Sequence, residues 1–165
     1  MTNVFNDYDF YYGAVLSVFL SGKHVKQYSP SLISSDTKKG RIYEFTVNHE
    51  PDFILVMAYA SHPRPDTANK DYDSWSFSFT DEQKTKIKDC LDNNKNIMIA
   101  FLCGRDKWNK SELAIMADKK DARKTMYSNG KIKKSITVRR DSEQRSYSVF
   151  LGNRQSIRLK GQFPK

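Results

Sequence analysis

Residues 53–60 read FILVMAYA and residues 96–103 read NIMIAFLC, and these two apolar runs decide the fold class. Each run is nearly continuous in apolar side chains, as expected of a strand in a sheet that is covered on both faces. Both are far shorter than the roughly 20 apolar residues that cross a bilayer. The runs therefore predict two buried strands in a folded protein.

Helices and further strands are predicted around these runs. Residues 7–21 carry a broad apolar helical stripe, Thr80 and Gln83 match the capping box of a second helix, and Asp118 caps a short third one. Alternating or short apolar patterns predict strands over residues 41–48, 74–79, 112–117, 132–140, 145–151 and 156–160. The sequence thus predicts one α+β domain over residues 1–165: a mainly antiparallel sheet, two or three helices and a C-terminal basic three-stranded meander.

Charge is distributed unevenly along the chain. Residues 1–103 carry 11 Lys and Arg against 13 Asp and Glu, a net charge of −2. Residues 104–165 carry 17 Lys and Arg against 6 Asp and Glu, a net charge of +11. A near-neutral body with a strongly basic last third favours a polyanionic partner, although surface lysines also serve solubility alone.

The cellular setting is indicated by what the chain lacks. Its two cysteines, Cys90 and Cys103, make no disulfide framework, and the amino terminus shows no basic leader region. We expect a cytoplasmic protein with no membrane partner. The glycines are isolated and form no phosphate-binding loop, and His24, His49 and His62 are scattered, so neither a cofactor nor a metal is expected.

The C-terminal meander is predicted to carry the binding face. Alternation puts six residues on one side of it: Thr137, Arg139, Ser148, Phe150, Arg158 and Lys160. Arginine donates two hydrogen bonds to a phosphate through a planar fork, and an aromatic ring can stack on a base. The predicted nucleic-acid-binding residues are Arg139, Arg140, Arg145, Arg154, Arg158, Lys160, Lys131, Lys133, Lys134, Arg123, Trp108 and Phe150.

The sequence leaves two alternatives to direct binding of DNA or RNA, each a different class of function. A small, highly charged chain without catalytic motifs resembles in type the inhibitors of phages and mobile elements, including anti-CRISPR proteins. Such a protein would bind a nucleic-acid-handling enzyme, and the loop with Asp66, Asp71 and Asp73 would give it a second, acidic contact surface.

The other alternative is a metal-dependent nuclease. The order of elements predicted over residues 7–103 is similar to the core of restriction-type nucleases. That family places an acid on one central strand and Glu-x-Lys or Asp-x-Lys on the next. Here Glu44 and Asp52 are the available acids, but the strand over residues 74–79 carries neither an acid nor a lysine. We therefore assign no catalytic residue.

Overall fold

The computed structural model describes residues 7–21, 28–36, 40–68, 70–143 and 146–159, which form three helices and eleven strands. The helices are α1 (Asp7–Ser21), α2 (Asp81–Asp92) and α3 (Lys119–Met126). The strands are β1 (Ser29–Asp36), β2 (Gly40–Val47), β3 (Glu50–Ala60), β4 (Tyr72–Ser78), β5 (Ile97–Cys103), β6 (Glu112–Met116), β7 (Tyr127–Ser128), β8 (Lys131–Ile132), β9 (Ser135–Asp141), β10 (Tyr147–Gly152) and β11 (Gln155–Arg158). The predicted α+β class is confirmed. None of the helices in these ranges is long and apolar enough to cross a bilayer.

The strands form two main sheets and a small hairpin, where the sequence predicted one mainly antiparallel sheet. Sheet A has the order β1-β2-β3-β5-β6, and its central pair, β3 and β5, is parallel. Sheet B is wholly antiparallel and has the order β11-β10-β9-β4. The predicted three-stranded meander is β9, β10 and β11, and β4 joins it as a fourth strand. The chain therefore leaves sheet A after β3, contributes β4 to sheet B, and returns through α2 to β5.

Both faces of sheet A are covered, as its continuous apolar strands require. On one face, Tyr12, Val15 and Phe19 of α1 pack against side chains that include Leu55 of β3. The next residue, Val56, points to the other face, where α2, α3 and the inner face of sheet B complete a second core. Because successive side chains of a strand alternate in direction, β3 supplies both cores.

Local signals explain where several elements begin and end. The hydroxyl of Thr80 accepts a hydrogen bond from the Gln83 amide, and the Gln83 side chain accepts one from the Thr80 amide, so the predicted capping box of α2 is confirmed. Asn129 and Gly130 both have positive φ, at 51° and 73°, and form the tight turn of the β7–β8 hairpin. Ile132 belongs to β8 of that hairpin, so the strand predicted over residues 132–140 begins at Ser135 instead.

Candidate nucleic-acid interface

The outer face of sheet B carries several of the side chains predicted to bind nucleic acid. Ser148 of β10 lies directly opposite Arg139 of β9 on one side and Arg158 of β11 on the other. Phe150 lies opposite Thr137 and Ser156 in the same way. The two arginines and the phenylalanine therefore share one face, with neighbouring strands about 4.8 Å apart.

Hydroxyl groups fill most of the remaining positions of this face. On β4, Ser74, Ser76 and Ser78 alternate with the core residues Trp75 and Phe77. Register pairs each of these serines with an outward-facing residue of β9, namely Arg139, Thr137 and Ser135. A face of short hydroxyl side chains is flat, and each hydroxyl can both donate and accept a hydrogen bond.

Phe150 is the one large apolar side chain on the outer face of sheet B in the part of the chain that the structure describes. It is 46% exposed, although it lies on an inner strand of the sheet. Its opposite neighbours, Thr137 and Ser156, are too short to cover an aromatic ring. The ring is therefore available to a ligand.

Arg139 lies on this face but is already engaged by neighbouring side chains. Its guanidinium lies 3.5 Å from the centre of the Tyr72 ring and donates to the Asp141 carboxylate at 2.7–2.8 Å. Tyr72 and Asp141 are register partners on β4 and β9, which brings both groups to the same corner of the face. Ser74 beside them is only 4% exposed. This corner is covered by the protein's own side chains.

Arg140 does not join the basic face, because it follows Arg139 directly and points to the opposite side of β9. There it pairs with the carboxylate of Glu112, which also accepts a hydrogen bond from the hydroxyl of Tyr147. Burial, followed by this hydrogen bond, raises the pKa of Tyr147 well above its usual value. Arg140 thus forms a contact between the two sheets.

Of the other predicted residues, some lie in or beside one turn, and others lie in ranges that the structure does not describe. Arg154 is exposed in the β10–β11 turn, where its φ is 62°. No ion pair of Arg154 or Arg158 is formed within the described ranges. The predicted sites Arg145 and Lys160 lie outside the described residues, as does the side chain of Trp108.

The predicted lysine cluster lies at the start of β9, around the β7–β8 hairpin. The Phe79 amide donates to the Lys134 carbonyl, and the Lys133 amide donates to the Met126 carbonyl, so the backbone that carries these lysines is fixed. Lys131 and Lys134 are exposed. The hairpin therefore presents a second basic surface beside sheet B.

Arg123 has a structural contact of its own on α3. It donates to the backbone carbonyl of Leu91, and its guanidinium lies 5.6 Å from the centre of the Tyr127 ring. The Tyr127 hydroxyl in turn donates to Asp92 at the end of α2. These contacts link α3 to α2 and reduce what Arg123 can offer to a ligand.

The acidic loop residues are not gathered into one site. Asp66 pairs with Arg64 at 2.9 Å, and Asp73 pairs with Arg105 at 2.8 Å. Asp71 is exposed, and its backbone carbonyl accepts a hydrogen bond from the Ser142 amide. Asp66 thus pairs within the loop, whereas Asp73 joins β4 to the residues that follow β5.

The two acids considered for a nuclease have different neighbours. The Asp89 carboxylate and, more weakly, Glu44 raise the pKa of Lys95, whereas burial and a hydrogen bond to Asp52 raise that of Tyr28. Within the described ranges, no three His, Cys, Asp or Glu side chains form a group that could hold a metal ion.

Both cysteines are buried in the core between the two sheets. Burial raises the pKa of the Cys90 and Cys103 thiols. Since the thiolate is the reactive form, neither position favours nucleophilic chemistry.

The sequence placed Tyr72 in the loop with Asp71 and Asp73. It did not single out Asp141, which pairs with Arg139, or Glu112, which pairs with Arg140. Tyr72 follows the alternation of Ser74 and Ser76 and could have been assigned to the strand on that pattern. The pairing of β4 with β9 is a long-range contact, and no local signal indicates it. Comparisons with protein-family models, curated proteins and solved structures find no match to this chain.

Proposed function

We propose that this protein binds nucleic acid through the outer face of sheet B around Thr137, Arg139, Ser148, Phe150 and Arg158, here called the basic sheet face. The observation that supports this most directly is the exposed ring of Phe150 beside Arg158. Folding gains little from a phenylalanine left 46% exposed on an inner strand. A stacking platform next to a cation is, however, what a polynucleotide uses.

The electrostatics of the surrounding surface support the same function. Residues 104–165 carry a net charge of +11, and the basic sheet face and the β7–β8 hairpin both lie in or beside this part of the chain. Arg158, Arg154 and Lys131 form no ion pair among the described residues. Their charges are available to phosphates, and the field that they add speeds association with a polyanion.

The proposal is tested by fluorescence anisotropy with labelled single-stranded DNA, duplex DNA and RNA over a salt series. We expect affinity to fall steeply between about 50 and about 200 mM salt, because bound phosphates release counterions. Arg158→Ala should weaken binding and reduce the slope of log affinity against log salt by about 0.7 to 0.9. Lys86→Ala on α2 removes the same charge outside the basic sheet face and should change both quantities less.

Two results would contradict the proposal. Affinity that hardly depends on salt would exclude a phosphate-binding surface, and equal losses in Arg158→Ala and Lys86→Ala would exclude this particular face. If all three polymers bind weakly, a pull-down after nuclease treatment is the next experiment. A single stoichiometric protein partner would then favour the inhibitor function.

A further inference from the structure

We infer that the ligand of the basic sheet face is a single-stranded polynucleotide, one base of which stacks on Phe150. The inference rests on the proposed function and narrows it to a chemical class: an unpaired base that carries phosphates on either side. Single-stranded DNA and single-stranded RNA both have this chemistry.

The position of Phe150 supports a stacking role. It lies on β10, which has β9 on one side and β11 on the other, so the ring stands within the face and not at its rim. Small side chains occupy the opposite positions on both neighbouring strands. No aromatic or cationic contact of Phe150 occurs within the described residues. One face of the ring can thus receive a flat group from solvent.

Arg158 is placed to bind the phosphate of the nucleotide that stacks. It lies opposite Ser148, which is two residues from Phe150 on the same face of β10. Such diagonal neighbours are separated by about 7 to 8 Å, which the long arginine side chain can span. Ser148 lies directly opposite Arg158, and Ser156 lies directly opposite Phe150. Their hydroxyls can hydrogen-bond to a sugar or to a base edge.

The shape of the face argues against a duplex as the preferred ligand. Four strands about 4.8 Å apart span about 14 Å, whereas the major groove of B-DNA is about 12 Å wide and admits a two-stranded ribbon. Bases within a duplex also stack on one another, so their flat faces are not available to Phe150. A duplex could reach only the cations of this surface.

The test compares Phe150→Ala with Leu32→Ala, which truncates a similarly exposed apolar residue (53%) on β1 of sheet A. Binding of labelled oligothymidylate, oligouridylate and a duplex of matching length is measured by anisotropy over the same salt series. Phe150→Ala should weaken binding of the single strands roughly 10- to 100-fold and leave the salt slope unchanged. Phe150→Trp should preserve binding, and Leu32→Ala should have no effect. Thermal unfolding confirms that every variant is folded.

The outcomes separate this inference from the proposed function. One possible result is salt-dependent binding that needs Arg158, is equally tight for the duplex and is unaffected by Phe150→Ala. This result would overturn the inference but would leave the proposed function intact. Weak binding to all three probes would overturn both. Tighter binding of oligouridylate than of oligothymidylate would support the inference with RNA as the ligand, and the reverse order would support it with DNA.

Discussion

Arg154 holds a backbone conformation that glycine adopts more easily than any other residue. Its φ of 62° follows a φ of 49° at Asn153, a pair of values that defines the tight turn between β10 and β11. In the corresponding turn of the β7–β8 hairpin, the second position is Gly130. His49 resembles Arg154, with a φ of 68° in the turn between β2 and β3. Among the described residues, His49 and Arg154 are the two with positive φ that are neither glycine nor asparagine, and Arg154 lies beside the basic sheet face.

A matched pair of glycine substitutions tests whether Arg154 contributes to binding at the cost of stability. Arg154→Gly and His49→Gly should each raise the free energy of unfolding by about 1 kcal/mol, because the left-handed conformation is unfavourable for residues with a Cβ. Only Arg154→Gly should weaken polynucleotide binding, since it also removes a cation. Urea unfolding and anisotropy measure the two effects. Unchanged binding in Arg154→Gly would mean that the arginine has no role in the interface.

At the residue scale, alternation predicted which side chains share a face but not what each one contacts. Arg139 and Arg158 do lie on the same side of the meander, as their spacing along the strands predicted. Asp141, the partner of Arg139, is close in sequence, but Tyr72 comes from β4. Such contacts depend on which strands pair, and the alternation of side chains along a strand does not indicate its partner.

Among the elements, α2 is attached to sheet A through one of its own capping residues. The side chain of Gln83 completes the capping box, and its amide also donates to the backbone carbonyl of Met57 at 3.0 Å in sheet A. Gln83 is 2% exposed, and a Cβ on Gly40 would lie 2.1 Å from its amide nitrogen. The cap of the helix and the central strand are therefore joined through one buried side chain.

Removing the two halves of the capping box should have unequal effects. Thr80→Ala should lower the free energy of unfolding by about 1 kcal/mol, the usual value of an N-cap. Gln83→Ala should lower it by roughly 2 to 3 kcal/mol, because it also removes the buried hydrogen bond to the Met57 carbonyl and the packing of a buried side chain. Thr85→Ala, at an exposed position of α2, serves as the control and should change little. Equal losses at Thr80 and Gln83 would show that the contact with sheet A contributes nothing.

Element-scale predictions succeeded where the signal is local. The capping box of α2, the helix over residues 7–21 and the buried strand within residues 96–103 all follow from short stretches of sequence. The division into two sheets was not predicted, because it depends on β4 pairing with β9. No periodicity in either strand distinguishes that partner from a strand of sheet A.

At the scale of the whole molecule, a polar cluster holds the two sheets together at one end. Arg140 and Tyr147 of sheet B both donate to Glu112 of sheet A. Nearby, Arg105, which follows β5, pairs with Asp73 of β4 and lies 5.0 Å from the Trp75 ring. Arg140 and Arg105 thus stabilise the packing of sheet A on sheet B.

Because of this cluster, we expect the protein to lose stability at alkaline pH. The pKa of Tyr147 is raised, chiefly by burial, so the folded protein keeps a proton that the unfolded chain releases above about pH 10. Stability contributed by Tyr147 is therefore complete below about pH 10 and declines above it, by at most about 1.4 kcal/mol per pH unit. Urea unfolding at about pH 9 and about pH 11 measures the decline. Tyr147→Phe should reduce it, and an equal decline in that variant would contradict the assignment to Tyr147.

The place of β4 in sheet B, although it lies between two strands of sheet A along the chain, also has a consequence for biosynthesis. As the chain leaves the ribosome, β4 emerges with Trp75 and Phe77, but its partner strand β9 follows only after α2, β5, β6, α3 and the β7–β8 hairpin. Until then, a strand with one apolar face has open edges and no sheet to join. Nascent chains in that state pair readily with one another, so slow or interrupted translation before β9 should favour aggregation.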